Sequence, residues 1–130
     1  MKKGYITNIE EATISNTDYR RVLYTGEHSQ LVLMAIEPGD EIGSEVHTLD
    51  QFIRVEAGTA KLILNENEEH VLESDHAAII PAGTTHNVVS TGSEALKLYS
   101  IYSPAEHKDG TVQPTKADEK EEHFDGVTTE

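Results

Sequence analysis

Glu45, His47, Gln51 and His86 are the residues of this chain whose types and spacing could hold a metal ion. Glu45 and His47 are two apart, so on a strand both side chains leave the same face. Gln51 shares a face with Ile53 and Val55, and His86 shares one with Val88, which places both over apolar floors. Burying a carboxylate, two imidazoles and an amide without partners is costly, and one shared ion satisfies all four. The set suits Mn, Fe, Co, Ni or Zn better than Cu(I), and carries too much nitrogen for a Ca or Mg cage. Glu45, His47 and His86 alone make the two-His, one-carboxylate set of non-haem iron sites with open positions. Spacing alone fits equally well a surface on which His and Glu happen to alternate.

The elements that must position these residues read as short strands. Arg20 to Thr25 alternates, and Leu31 to Ile36 (LVLMAI) is a short continuous apolar run closed by Pro38-Gly39-Asp40, which suits a strand buried on both faces. Gln51 to Glu56 and Thr59 to Leu64 flank Ala57-Gly58 as a hairpin, and Val71-Leu72, Ala77 to Ile80, Val88-Val89 and Leu96 to Tyr102 continue the series. Residues 1–19 read as short strands and turns. Many short strands with regular punctuation and no long helical stripe mean an all-β sandwich or barrel. The division expected is a β-domain over residues 1–114, with its core motifs in 39–90, and an acidic tail over 115–130 that is a short solvated helix or disordered.

Composition narrows the function. At 130 residues one domain is expected, and with 5% aromatic residues its core rests on Val, Ile and Leu. A formal net charge of -14 argues against nucleic acid and anionic membrane surfaces as partners. The absence of cysteine rules out disulfides and thiolate metal sites. The opening MKKGYITNIEEA lacks the apolar stretch of a signal peptide, and no run reaches the roughly 18 apolar residues of a membrane span, so a cytoplasmic protein is expected.

From Gly39 the spacing is G-x5-E-x-H-x3-Q-x6-G, ending at Gly58, and a second cluster, P-x-G-x2-H, runs from Pro81 to His86. This resembles the two signature motifs of the cupin superfamily, G-x5-H-x-H-x3,4-E-x6-G and G-x5-P-x-G-x2-H-x3-N, at the distance found in small bacterial single-domain cupins. The resemblance implies a double-stranded β-helix, or jelly-roll, barrel with a short irregular or helical C-terminal tail. It places the metal ligands on Glu45, His47, Gln51 and His86. Glu45 stands where the pattern has histidine and Gln51 where it has glutamate, so the single carboxylate has moved across the site and the one negative charge is kept. Asp75-His76 replaces a Gly-Asp turn, and Ser90 takes an asparagine position. Gly39, Gly58 and Gly83 are expected at positive φ.

The resemblance further implies one divalent transition metal per chain (Mn, Fe, Ni or Zn) and a small metal-chelating organic substrate, handled by a dioxygenase, isomerase or lyase. A non-catalytic metal-dependent small-molecule or sugar-binding module is the alternative. The mannose-6-phosphate isomerase-like label of some relatives fits poorly, because a phosphosugar wants a basic clamp and the mapped pocket offers none. Similar cupins pair as homodimers through an N-terminal strand, which the isolated apolar positions of residues 1–14 suit. No acid or base beyond the ligands is evident. His28, His70, His107 and His123 read as solvated, His76 as a structural hydrogen-bonder, Tyr24, Tyr99 and Tyr102 as core or interface residues, and Arg54 as outside the cavity.

Overall fold

Inward and outward positions alternate along the strand that carries Gln51. In the computed structural model, which describes all residues 1–130, that strand is β3, counting β1 (Arg20–Thr25) and β2 (Gln30–Ile36) before it. Along β3 (Asp50–Ala57), Gln51, Ile53 and Val55 are buried while Phe52 and Arg54 are half-buried. The Ala57-Gly58 turn leads into β4 (Ala60–Leu64), followed by β5 (Glu68–Leu72), β6 (Ala77–Ile80), β7 (His86–Ser90), β8 (Leu96–Ser103) and β9 (Val112–Gln113).

Two antiparallel sheets result. One has six strands in the order β6-β3-β8-β2-β1-β9, the other three in the order β5-β4-β7. Val32, Met34 and Ile36 of β2, Ile53 and Val55 of β3, and Leu96 and Leu98 of β8 meet Leu62 of β4 and Val88 of β7 in one core cluster between the sheets. Each such side chain contributes about 1.5–3 kcal/mol on leaving water. This is the layered architecture of a cupin jelly roll, as the sequence implied. The continuous apolar run of β2 has the predicted cause: Met34 faces the core, and Leu33 on the opposite face is only 2% exposed.

Residues 1–19 depart from expectation. Instead of strands they contain a helix, α1 (Ile9–Ser15), which lies against β3 and β8. Asn8 caps it, its side-chain oxygen accepting the Glu11 N–H at 3.1 Å, and Glu10 and Glu11 complement the positive end of the helix dipole. Gly39, Gly58 and Gly83 do adopt positive φ, at 86°, 81° and 82°. Asp75 is at φ 72°, so the turn that replaces Gly-Asp survives. No helix is long and apolar enough to cross a membrane.

Candidate metal centre

Glu45 and His47 were read as residues of a strand. They sit instead on a bulged segment that runs beside β7, with isolated bridges at Glu41–Val89 and Glu45–His86. Gly43, at φ 106°, breaks the ladder between those bridges, and its N–H is taken up by the Asn87 side-chain oxygen at 2.9 Å. The pairing then resumes: Glu45 N–H donates to the His86 carbonyl at 2.8 Å, and His86 N–H to the Glu45 carbonyl at 2.9 Å. Gly83 N–H donates to the His47 carbonyl at 2.8 Å, which ties the Pro81–Gly83 turn to the same segment. Sequence-distant candidate ligands are thus joined through backbone hydrogen bonds.

The side chains converge. One ligand atom each from Glu45, His47 and His86 all lie within 4.8 Å of one another, and the two imidazole centroids are 5.2 Å apart. His47 Nε2, His86 Nε2 and Gln51 Oε1 are all buried without a hydrogen-bond partner. In each case the opposite end of the group is committed. His86 Nδ1 meets the Thr84 carbonyl at 3.0 Å, so Nδ1 carries the proton and Nε2 offers a lone pair. Gln51 Nε2 donates to Ser100 Oγ at 3.2 Å and Tyr102 Oη at 3.3 Å, which turns its oxygen away as a free acceptor. His47 Nδ1 lies 3.5 Å from Glu106 Oε1, and Glu106 Oε1 is also 3.1 Å from His123 Nδ1. Two unpartnered imidazole nitrogens and a carboxylate within 4.8 Å of one another fit a borderline divalent ion, and Gln51 Oε1 is a further buried oxygen without a partner.

Charge follows from burial and neighbours. Burial raises the Glu45 carboxyl above its usual range, with His47 and Arg20 partly offsetting it. Burial lowers the His86 imidazole and outweighs its bond to Thr84, which keeps the ring neutral, as a ligand must be. Burial also pulls on His47, but Glu106 and Glu45 outweigh it and the net shift is upward.

Glu106 is one site residue that the sequence did not reveal, since it lies beyond the end of β8, where strand parity says nothing. Its place behind His47 is where a carboxylate would orient that histidine as a ligand and raise its basicity. Glu106→Gln is expected to weaken metal affinity roughly 10–100-fold. Competition with a fluorescent chelator checks this, and unchanged affinity would remove Glu106 from the site.

A cavity of about 450 Å³ opens beside Glu45 and His47, with Glu106 and His107 in its wall. His86 and Gln51, 3% exposed each, lie outside that lining. Three readings of the sequence need correction here. Arg20, 2% exposed, does line the cavity, so the pocket is not without a basic group. The signal was available, because Arg20 shares strand parity with the buried Val22. His107 lines the cavity rather than open solvent, and burial pushes its imidazole down to about 3, with Arg20 adding to the shift. His123, which also lines the cavity, is 70% exposed, as the sequence suggested. The tail is irregular with one helical turn, as expected, but Glu119 to His123 form a side of the cavity. His28 and His70 are solvated, His76 accepts the Glu73 N–H, and Arg54 pairs with Asp75 and Glu56 outside the cavity, all as read.

Fold and site together define a cupin with a candidate metal-binding group, and the chain belongs to that family: the cupin domain family matches residues 32–102. An uncharacterised protein of Bacillus subtilis (strain 168), YrkC, is 43% identical over 122 residues, which cover 89% of this chain and 66% of that protein. Protein L612 of Acanthamoeba polyphaga mimivirus is 45% identical over 112 residues, 83% of this chain and 70% of that protein. The chain thus spans about two thirds of the length of these relatives. The crystal structure of BH2720 from Bacillus halodurans superposes with a TM-score of 0.87 at 46% identity, over 89% of this chain and 92% of that one. KdgF from Halomonas sp. shares the fold, with a TM-score of 0.61 at 22% identity over 69% of this chain and 79% of that one.

Proposed function

We propose that this chain is a metal-dependent cupin enzyme that acts on a small, metal-chelating organic substrate. Glu45, His47 and His86 would hold one divalent transition ion (Mn, Fe, Ni or Zn), with the Gln51 amide oxygen as the fourth ligand. The observation that carries the reading is the three buried donor atoms without partners, His47 Nε2, His86 Nε2 and Gln51 Oε1, beside the Glu45 carboxylate. When bound, the ion supplies Lewis-acid polarisation of a substrate oxygen.

The remaining work belongs to the chain's own residues. Thr84, Ser100, Tyr102 and Glu106 fix the orientation of the ligating side chains through the contacts described above. Glu106 and His123 both line the cavity, where either can take a proton from, or return one to, a substrate bound there. That pair favours proton-transfer chemistry, isomerisation or elimination, over oxygen insertion. It also favours catalysis over the binding-module alternative, which has no need of a proton-transfer group.

The test is elemental analysis of tag-free protein beside His86→Ala. About one transition-metal ion per chain in the parent, lost in the variant, is the expected result. A parent that stays metal-free after incubation with Mn, Fe, Ni or Zn would overturn the reading.

A further inference from the structure

Arg20 is a buried cation that uses two of its five N–H donors. Its side chain is 3% exposed, yet the guanidinium makes both of its hydrogen bonds through Nη1, to Gln113 Oε1 at 2.8 Å and to Glu119 Oε2 at 3.0 Å. Its Nε is buried with no partner. A guanidinium is a planar fork built for two parallel bonds to one carboxylate, and here it meets only one oxygen of the Glu119 carboxylate, its other bond going to the Gln113 amide oxygen. The same Glu119 oxygen accepts the Tyr19 hydroxyl at 3.3 Å. Tyr19 and Arg20 therefore form a carboxylate receptor. Arg20 and Glu119 both line the cavity that Glu45 and His47 also line, and the Tyr19 hydroxyl, behind that lining, adds a second donor to the carboxylate that Arg20 holds.

The occupant of that receptor comes from the chain's own acidic tail. Glu119 follows the helical turn Lys116–Asp118, and its side chain is 31% exposed. Its backbone N–H is held separately by the Lys116 carbonyl at 3.0 Å, so side-chain rotation alone vacates the receptor.

We propose that Tyr19 and Arg20 anchor a carboxylate of the substrate, and that Glu119 holds this receptor in the resting chain until the substrate carboxylate displaces it. The proposal rests on reading the cavity as the substrate chamber of the metal centre. It also answers an electrostatic objection. The walls carry Glu45, Glu106, Glu121 and Glu122 against Arg20 and Lys120, so each added negative charge is disfavoured. Turning Glu119 out toward solvent as a substrate carboxylate enters keeps one carboxylate, not two, on Arg20. A phosphate dianion would bring a second negative charge, which selects carboxylate over phosphate.

The test is calorimetric titration of the Mn(II)-loaded parent, Glu119→Ala, and Glu119→Ala combined with Arg20→Lys. The probes are malate and glycolate, which share a chelating 2-hydroxy acid head, only malate having a second carboxylate; inorganic phosphate is the control. Glu119→Ala is expected to bind malate roughly 10–100-fold more tightly than the parent, the worth of a charged hydrogen bond, with glycolate unchanged. Arg20→Lys should remove most of the gain. If that variant does not fold, Tyr19→Phe in the Glu119→Ala background decides by a loss of several-fold. Malate affinity unmoved by Glu119→Ala, or a gain for phosphate as large as for malate, would overturn the proposal.

Metal content is measured on every sample, and metal-free parent and Glu119→Ala are titrated with succinate. A succinate gain in protein that takes up no metal would sink the metal reading and uphold the receptor. Full metal loading without a malate gain would do the opposite.

Discussion

Restoring Mn(II) or Zn(II) to chelator-treated protein is expected to raise its thermal midpoint by roughly 10–15 °C, and the same addition to His86→Ala should move it by less than about 2 °C. An ion that binds only the folded chain stabilises it by about 4 kcal/mol when free metal is a thousand times its dissociation constant. For a chain of this length each kcal/mol is worth roughly 3–4 °C. The candidate ligands Glu45 and His47 lie on a segment remote in sequence from β7, where His86 stands, so the unfolded chain offers no comparable site. His86 is itself buried, and its truncation lowers stability for reasons of packing. The comparison is therefore between metal-loaded and metal-free forms of one variant. Scanning calorimetry reads it, and an equal metal-induced shift in parent and His86→Ala would exclude His86 as a ligand.

Gly58→Ala is expected to cost about 2–5 kcal/mol, a large part of the 5–15 kcal/mol that typically holds a domain together. Two independent terms produce this. The residue sits at φ 81°, where a side chain meets its own carbonyl and costs roughly 1–2 kcal/mol. A Cβ there would also lie 2.8 Å from the Ala95 carbonyl oxygen and 2.9 Å from Leu96 Cα, both backbone atoms that cannot turn aside. Opening that contact adds about 1–3 kcal/mol. Gly39 supplies the control, because it has φ 86° with nothing near the added carbon. Gly39→Ala should cost only that strain, about 1–2 kcal/mol. Urea unfolding of the two variants separates strain from clash, and equal losses would mean that the β3–β4 turn gives way freely.

Much of the fold was legible because strand parity is a strong physical code. Gln51, Ile53 and Val55 were placed on one inward face, and they are 3%, 0% and 0% exposed. His86 and Val88 were paired in the same way and are likewise buried. The code fails where the chain leaves the ladder. Glu45 and His47 keep a common direction through a bulge rather than a regular strand, so their convergence was right while their setting was not. The helix α1 escaped notice because seven residues show too little periodicity, although Asn8 three residues before Glu11 was a capping signal in plain sight. Glu106, His107 and the tail reach the cavity by chain reversals that no local pattern records. Arg20 was overlooked for a different reason: inward parity was applied to apolar neighbours and to candidate ligands, but not to a cation.

The reciprocal backbone pair between Glu45 and His86 has an evolutionary consequence. Both peptide groups are engaged by each other, so the distance between the two side-chain origins does not depend on what those side chains are. Donor identity and donor placement can therefore be inherited separately. A histidine at position 45 could give way to glutamate without rebuilding the scaffold. The loss of charge from a glutamate to a glutamine at position 51 could follow as an independent step, and a lineage could retune the hardness of its site while keeping its architecture.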